Sequence, residues 1–303
     1  MRIALIGQAA FGEKVLRALV EAGEEVAVVY MPPDPPGGKG NSFREAAEAR
    51  GVPVRQPARM RDPEVFADYK TLGADLNVMA FVTDIVPLTI LDHPSLGTIQ
   101  YHPSLLPRHR GASAINWAVI NGEPRTGLTI FWPDEGLDTG PILLRKEVTI
   151  EPDDTIGTVY FNKLFTLGVE ALLESVRLVK EGKAPRIVQD LTQGEYEPVC
   201  KRMVIDWMYP IGVVYNVIRG CNPSPGAVTA FNGQEIKIFD CERRAVSGAQ
   251  APGTIIEVAA DGLLVLGCGG SIFVKRVQPA GAGKMGAVQF AAGAGLKVGD
   301  RLG

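Results

Sequence analysis

Apolar positions along this chain fall into two regimes. In the first, short apolar runs alternate with stretches in which apolar residues recur every three to four positions. Residues 2–6 (Arg-Ile-Ala-Leu-Ile) form a short apolar run that ends at Gly7, as a buried parallel strand does. After Gly12, Val15, Leu16, Leu19 and Val20 recur at helical spacing until Gly23 ends the helix. Glu25–Tyr30, Val52–Val54 and Leu76–Phe81 read as further strands, and Ser42 with Glu45 three residues on resembles a capping box opening a helix. The Pro/Gly stretch from Pro32 to Gly40 is a loop. Alternating strands and helices imply right-handed crossovers and a Rossmann-like, doubly wound, mostly parallel α/β sheet.

The regime changes past a long helix predicted over Thr155 to Glu181, with its stripe at Ile156, Val159, Tyr160, Leu164, Leu167, Leu172, Val176 and Val179. Beyond a helix around Ile211–Arg219 come short β runs at Ala227–Phe231, Ile236–Phe239, Thr254–Val258, Leu263–Leu266 and Ile272–Val277. Asp261-Gly262 and Gly269-Gly270 mark tight hairpins. So many short strands in so few residues suggest a small OB-like β-barrel. The Gly/Ala-rich stretch 280–295 reads as loop. We therefore expect two domains, 1–203 and 204–303, in keeping with a length of 303 residues.

Composition narrows the function classes. A net charge of -3 does not suit a protein that coats nucleic acid. Cys200, Cys221, Cys241 and Cys268 are widely spaced and form no metal-ligand pair, so free thiols and no metal are expected. No stretch approaches the ~20 apolar residues of a membrane span, and Glu13 and Lys14 interrupt the N-terminal apolar region too early for a signal peptide. A cytoplasmic location without membrane contact is the expectation. Gly7 and Gly12 give only Gly-x-x-x-x-Gly, which lacks the dinucleotide fingerprint, and no Lys-Ser/Thr follows, so neither NAD nor a P-loop is expected.

The chemistry concentrates between residues 98 and 140. His102 follows an apolar run and opens a Pro-rich turn, which in an open α/β sheet is a strand's carboxyl end, where ligands bind. Taken alone it reads sooner as a buried histidine satisfied by backbone groups. His109, between two arginines, reads as solvated or hydrogen-bonding, and His93, before Pro94, as structural. Asp134 and Glu135 have the look of turn-forming acids. The Thr139-Gly140 turn instead aims Asp138 back over the sheet edge, where its carboxylate would accept a hydrogen bond from His102 or share a water with it, favouring the imidazolium.

Two runs carry a resemblance to a known family. His102-Pro103-Ser104-Leu105-Leu106-Pro107 and Asp134-Glu135-Gly136-Leu137-Asp138-Thr139-Gly140 are similar to the two signatures of the folate-dependent formyltransferases. Within that group the run Tyr101 to Trp117, Ile130-Phe131-Trp132 and Glu181-Gly182-Lys183-Ala184-Pro185-Arg186 most resemble the N-terminal hydrolase domain of 10-formyltetrahydrofolate dehydrogenase. Without the carrier and aldehyde-dehydrogenase domains of that larger enzyme, 303 residues would not oxidise the formyl group with NADP. The family's asparagine two before the histidine is here Gln100, the same amide donor on a stem one methylene longer.

The resemblance implies a one-carbon enzyme that uses 10-formyltetrahydrofolate as formyl donor. It implies His102, Asp138 and Gln100 as catalytic residues and a folate site at Met79, Ala80, Phe81 and Val82, together with Ser104, Leu105, Asp134 and Gly136. Without it, Met79 and Phe81 read as plain core. The acceptor would be water, a carrier-protein thiol or a small amine such as an amino-sugar nucleotide. Methionyl-tRNA is disfavoured, because residues 204–303 hold nine Lys/Arg against seven Asp/Glu and the loop at 32–41 has only Lys39. A non-catalytic folate-binding module is the alternative of another class.

Overall fold

The computed structural model describes residues 1–35, 37 and 40–303, so the expectation for Lys39 lies outside the described residues. Two compact units are present, one of residues 1–112, 127–148 and 163–197, the other of 113–126, 149–162 and 198–303.

The first carries a seven-stranded sheet: β1 (Arg2–Gly7), β2 (Glu25–Tyr30), β3 (Val54–Arg55), β4 (Leu76–Ala80), β5 (Thr98–His102), β6 (Arg125–Phe131) and β7 (Ile142–Thr149), in the order β3-β2-β1-β4-β5-β6-β7. Strands β1 to β5 pair in parallel and β6 runs antiparallel to β5. This is the doubly wound arrangement expected from the sequence. Ile3, Ala4, Leu5 and Ile6 are all buried, as strands covered on both faces must be. Helix α1 (Ala9–Glu21) buries Phe11, Val15, Leu16 and Leu19, and its Gly12 leaves room for Phe43 of α2 (Ser42–Glu48), since a Cβ there would lie 2.8 Å from that ring. The α2 cap is Asn41, whose side chain accepts from the Phe43 and Arg44 amides. The proposed Ser42/Glu45 box is thus one residue off, because Asn41 has the extended backbone a cap needs and Ser42 is already helical.

Under β4 and β5 lies a buried polar chain. Tyr69 donates to Asn77 Oδ1 (2.6 Å), and Asn77 donates to the Ile90 carbonyl and Thr98 Oγ1 (both 2.9 Å). The long helix expected over Thr155–Glu181 is divided: a short turn at Ile156–Thr158, a π-helical turn over Val159–Leu164, then a regular helix over Phe165–Lys180. Val159 and Leu164 stand five apart and both are buried, a spacing that an i→i+5 turn satisfies and a regular helix does not.

The second unit holds a helix over Ile211–Gly220 and two sheets. Ala227–Phe231, Gln234–Ile238 and Arg276–Pro279 belong to a five-stranded sheet, while Cys241–Arg244, Ile255–Val258, Leu263–Gly267 and Gly270–Val274 form a four-stranded antiparallel one. The C-terminal β domain expected from the sequence is present in this form. The 280–295 region differs from expectation: Ala287–Ala294 is helical and ends on Gly295 in the left-handed conformation. Alanine's helix propensity and that cap outweigh the glycines that suggested a loop.

Candidate active site

The carboxyl ends of β5 and β6 bring the two signature runs together. His102 is the last residue of β5 and is 5% exposed. Its Nε2–H donates to the His109 carbonyl oxygen at 2.9 Å, an acceptor that can only receive, so in the neutral ring it is the other nitrogen, Nδ1, that carries the lone pair. That nitrogen faces Asp138 Oδ2 at 3.6 Å, within ion-pairing reach but beyond a hydrogen bond. The carboxylate's hydrogen bond comes instead from the Gly111 amide, 2.8 Å from the same oxygen.

Asp138 sits between β6 and β7 at φ +57°, a left-handed conformation that Asp and Asn tolerate better than most residues. Gln189 holds this turn from outside, its Nε2 donating to the carbonyls of Asp138 (3.0 Å) and Gly140 (2.6 Å). Gln189 is itself buried, and nothing in its sequence neighbourhood marks it. Asp134 closes the start of the loop, accepting at one oxygen from the Gly136 amide (3.0 Å) and the Thr139 hydroxyl (2.7 Å). Asp134 and Gly136 therefore shape the loop that presents Asp138.

The 103–111 turn is built in the same way. Ser104 is fully buried; its hydroxyl donates to the Arg108 carbonyl (2.6 Å) and its own carbonyl accepts from Thr129 of β6 (2.7 Å). Leu105 packs so close to Gly127 that a Cβ there would lie 2.6 Å from its side chain. His109, expected to be solvated or hydrogen-bonding, is buried at φ +54° and donates from Nδ1 to Glu197 Oε2 at 2.8 Å. Arg110 pairs with the 195–197 backbone in a short β-bridge: its amide donates to Glu195 (3.2 Å) and its carbonyl accepts from Glu197 (2.9 Å). His93 is exposed, its ring in T-shaped contact with Phe66 and Tyr69.

Gln100 lies two residues before His102 in β5, and the strand's period of two puts both on one face. It is partly buried and stands opposite Phe131 of β6. On the other side of β5, β4 ends at Ala80. Met79 packs into an apolar cluster with Ile6, Tyr30 and Met60, while Phe81 turns out at φ +61° and is 44% exposed. Phe81 and Val82 line a cavity of about 370 Å³, open mouth included, with Gln8, Tyr30, Pro32, Met60 and Asp84. Among the described residues no group of three or more His, Cys, Asp or Glu side chains is placed to hold a metal ion, and no helix is long and apolar enough to cross a membrane.

The formyl transferase domain model matches residues 1–176 and the formyl transferase C-terminal domain model residues 201–295. The chain belongs to the formyl transferase family. A cytosolic 10-formyltetrahydrofolate dehydrogenase from Xenopus tropicalis is 41% identical over 297 residues, 92% of this chain but 32% of that protein. The chain thus spans about a third of the length of the dehydrogenases it matches, of which the mitochondrial protein from Homo sapiens is 39% identical. A methionyl-tRNA formyltransferase from Trichlorobacter lovleyi is 38% identical over 99% of this chain and 96% of that protein. Among solved structures, HypX from Aquifex aeolicus in complex with tetrahydrofolic acid superposes with a TM-score of 0.70 at 18% identity, over 96% of this chain and 47% of that one. The sugar 3N-formyl transferase WlaRD gives 0.70 at 16%, over 93% and 98%. At such identities these two establish the shared fold. As the two signature runs led us to expect, this is a formyl transferase-family chain whose named relatives are enzymes.

Proposed function

We propose that this protein cleaves the formyl group from 10-formyltetrahydrofolate, with water as acceptor. The observation that carries the reading is the pair His102 Nδ1 and Asp138 Oδ2, 3.6 Å apart at the strand ends with the histidine's other nitrogen tied to a carbonyl. A water held beside the pair can pass a proton to the imidazole. That water attacks the formyl carbon as its proton passes to Nδ1, beside the carboxylate that stabilises the imidazolium. The tetrahedral oxyanion is held by the Gln100 amide. The proton then goes from His102 to N10 of the folate, the C–N bond breaks, and formate and tetrahydrofolate leave. Water supplies the oxygen and the proton, so no other reactant is needed. The folate would be held by Ala80, Phe81 and Val82 and by the loop shaped by Asp134 and Gly136, with Met79, Ser104 and Leu105 supporting these segments from behind. We assign the chemistry to residues 1–203 and place no catalytic group in 204–303.

Near-full coverage of the methionyl-tRNA formyltransferase supports a second reading, transfer to an amine. The near-balanced charge of residues 204–303 weighs against a nucleic-acid acceptor. Tetrahydrofolate release from 10-formyltetrahydrofolate, followed without acceptor and then with amino-sugar nucleotide, charged initiator tRNA or a carrier thiol, separates these readings. Release without acceptor, abolished in His102→Ala, is expected. Release only with one acceptor overturns hydrolysis and makes the protein a transferase. Folate binding without release under any condition makes it a binding module.

A further inference from the structure

We infer that Glu197, through His109, is a positioning residue for His102: it fixes the carbonyl that selects the catalytic ring's tautomer. The inference rests on the proposed role of His102. The geometry is a chain of three links. Glu197 Oε2 accepts from His109 Nδ1 at 2.8 Å, the carbonyl of the same His109 accepts from His102 Nε2 at 2.9 Å, and His102 presents Nδ1 to Asp138. His109 stands at φ +54°, a left-handed conformation uncommon for a residue with a Cβ, and its bond to Glu197 helps to clamp it there. The side chains that make the contact are mostly shielded from water, at 7% exposure for His109 and 20% for Glu197. The clamp is reinforced by the Arg110–Tyr196 bridge and by Gly194, where a Cβ would lie 2.1 Å from the Pro107 carbonyl.

Loss of the clamp frees the His109 carbonyl to turn away. His102 is then free to place its proton on Nδ1, the nitrogen meant to receive one, and the base is lost although every atom of it remains. This makes the expected defect one of turnover and not of folate affinity. It also makes a purely structural role distinguishable, because a hydrogen-bond acceptor of the same shape restores the clamp without the charge.

The test compares Glu197→Ala, Glu197→Gln, His109→Ala and His109→Asn with wild type and His102→Ala. The readouts are tetrahydrofolate release and the tautomer of the three histidines by nitrogen-detected proton correlation. Asn tolerates the left-handed backbone and offers an amide N–H where His offers Nδ1–H. We expect Glu197→Ala and His109→Ala to lower kcat by about 10²-fold, the scale of a small misplacement of a reacting group, with KM for the folate within about threefold. Glu197→Gln and His109→Asn should recover most of the loss, and the Ala/Ala double variant should be no worse than either single. The His102 Nε2–H tautomer should hold in wild type and Glu197→Gln and be lost in Glu197→Ala. Wild-type kcat in both Ala variants, or an unchanged His102 tautomer, overturns the inference. Poorly folded Ala variants shift the decision to Glu197→Gln and His109→Asn: if these fold but have lost the His102 Nε2–H tautomer, the inference is overturned. If His102→Ala turns over like wild type, it is the catalytic assignment that fails, and the tautomer measurement still tests the clamp.

Discussion

Gly111→Ala tests how the carboxylate of the pair is held. Gly111 stands at φ +110°, outside the region in which residues with a Cβ are stable, and an added Cβ would lie 2.6 Å from the Glu197 carbonyl oxygen. That oxygen belongs to the bridged 195–197 segment and cannot retreat without breaking the pairing with Arg110. The backbone must therefore shift at residue 111, and with it the amide that donates to Asp138 Oδ2. The strain is worth about 1–3 kcal/mol. A hydrogen bond to a charged acceptor is worth about 1.5–3 kcal/mol. Asp138 keeps some access to water and recovers part of the second amount, so we expect a loss of about 2–4 kcal/mol in all. Gly182→Ala is the control. It also has a positive φ, +67°, but nothing lies within 4 Å of its Cβ, so only the left-handed backbone is charged, about 1 kcal/mol. Urea unfolding followed by circular dichroism, with tetrahydrofolate release measured on the same samples, gives both readouts. Equal losses of stability in the two variants, with normal turnover in Gly111→Ala, would refute the reasoning.

Three further outcomes are expected. His102→Ala should lower turnover by about 10²–10⁴-fold, as loss of a general acid–base group does, and Asp138→Asn should match it. Asn suits φ +57°, so the second variant keeps the fold, and wild-type turnover in either would sink the catalytic assignment. Gln189→Leu removes both donors to the Asp138 turn and should cost about 1–3 kcal/mol with a fall in kcat; unchanged turnover would show that the turn holds itself. Burial pushes the Tyr69 phenol up to about 12, only partly opposed by its bond to Asn77, from about 10 in the unfolded chain. A raised pKa adds stability below pH ~10 that is lost as pH climbs through ~12. The stability advantage of wild type over Tyr69→Phe should therefore shrink between those values in urea titrations, and a constant gap would exclude the linkage.

What was legible in the sequence follows from the range of the interactions. Strands β1, β2 and β4 announce themselves because a strand covered on both faces must be apolar throughout, and α1 because its buried face repeats locally. His102 and Asp138 are legible because each lies in a short signature run. Gln189 and Glu197 are not. Their bonds to Asp138 and His109 span 51 and 88 residues, and nothing at either end records the other. The missed helix over Ala287–Ala294 has a different cause: an almost wholly small and apolar segment has no polar face to give it a period. The π turn at Val159–Leu164 was hidden because a stripe with one extra residue still looks nearly helical.

The turn 108–111 shows why the two reacting groups should not be treated as independent. Within three residues it offers a carbonyl, from His109, and an amide, from Gly111, of opposite polarity. The carbonyl accepts the hydrogen bond of His102 Nε2–H and so sets the ring's tautomer; the amide donates to the carboxylate and so orients it. Both depend on positive φ values, +54° and +110°, that the segment around Glu197 holds in place. A displacement of that turn alters the tautomer of one partner and the orientation of the other in a single event. The 3.6 Å between Nδ1 and Oδ2 is therefore a property of this turn more than of β5 or the Asp138 loop. Substitutions in the turn should be non-additive with those at His102 and Asp138, as expected for residues that share one network.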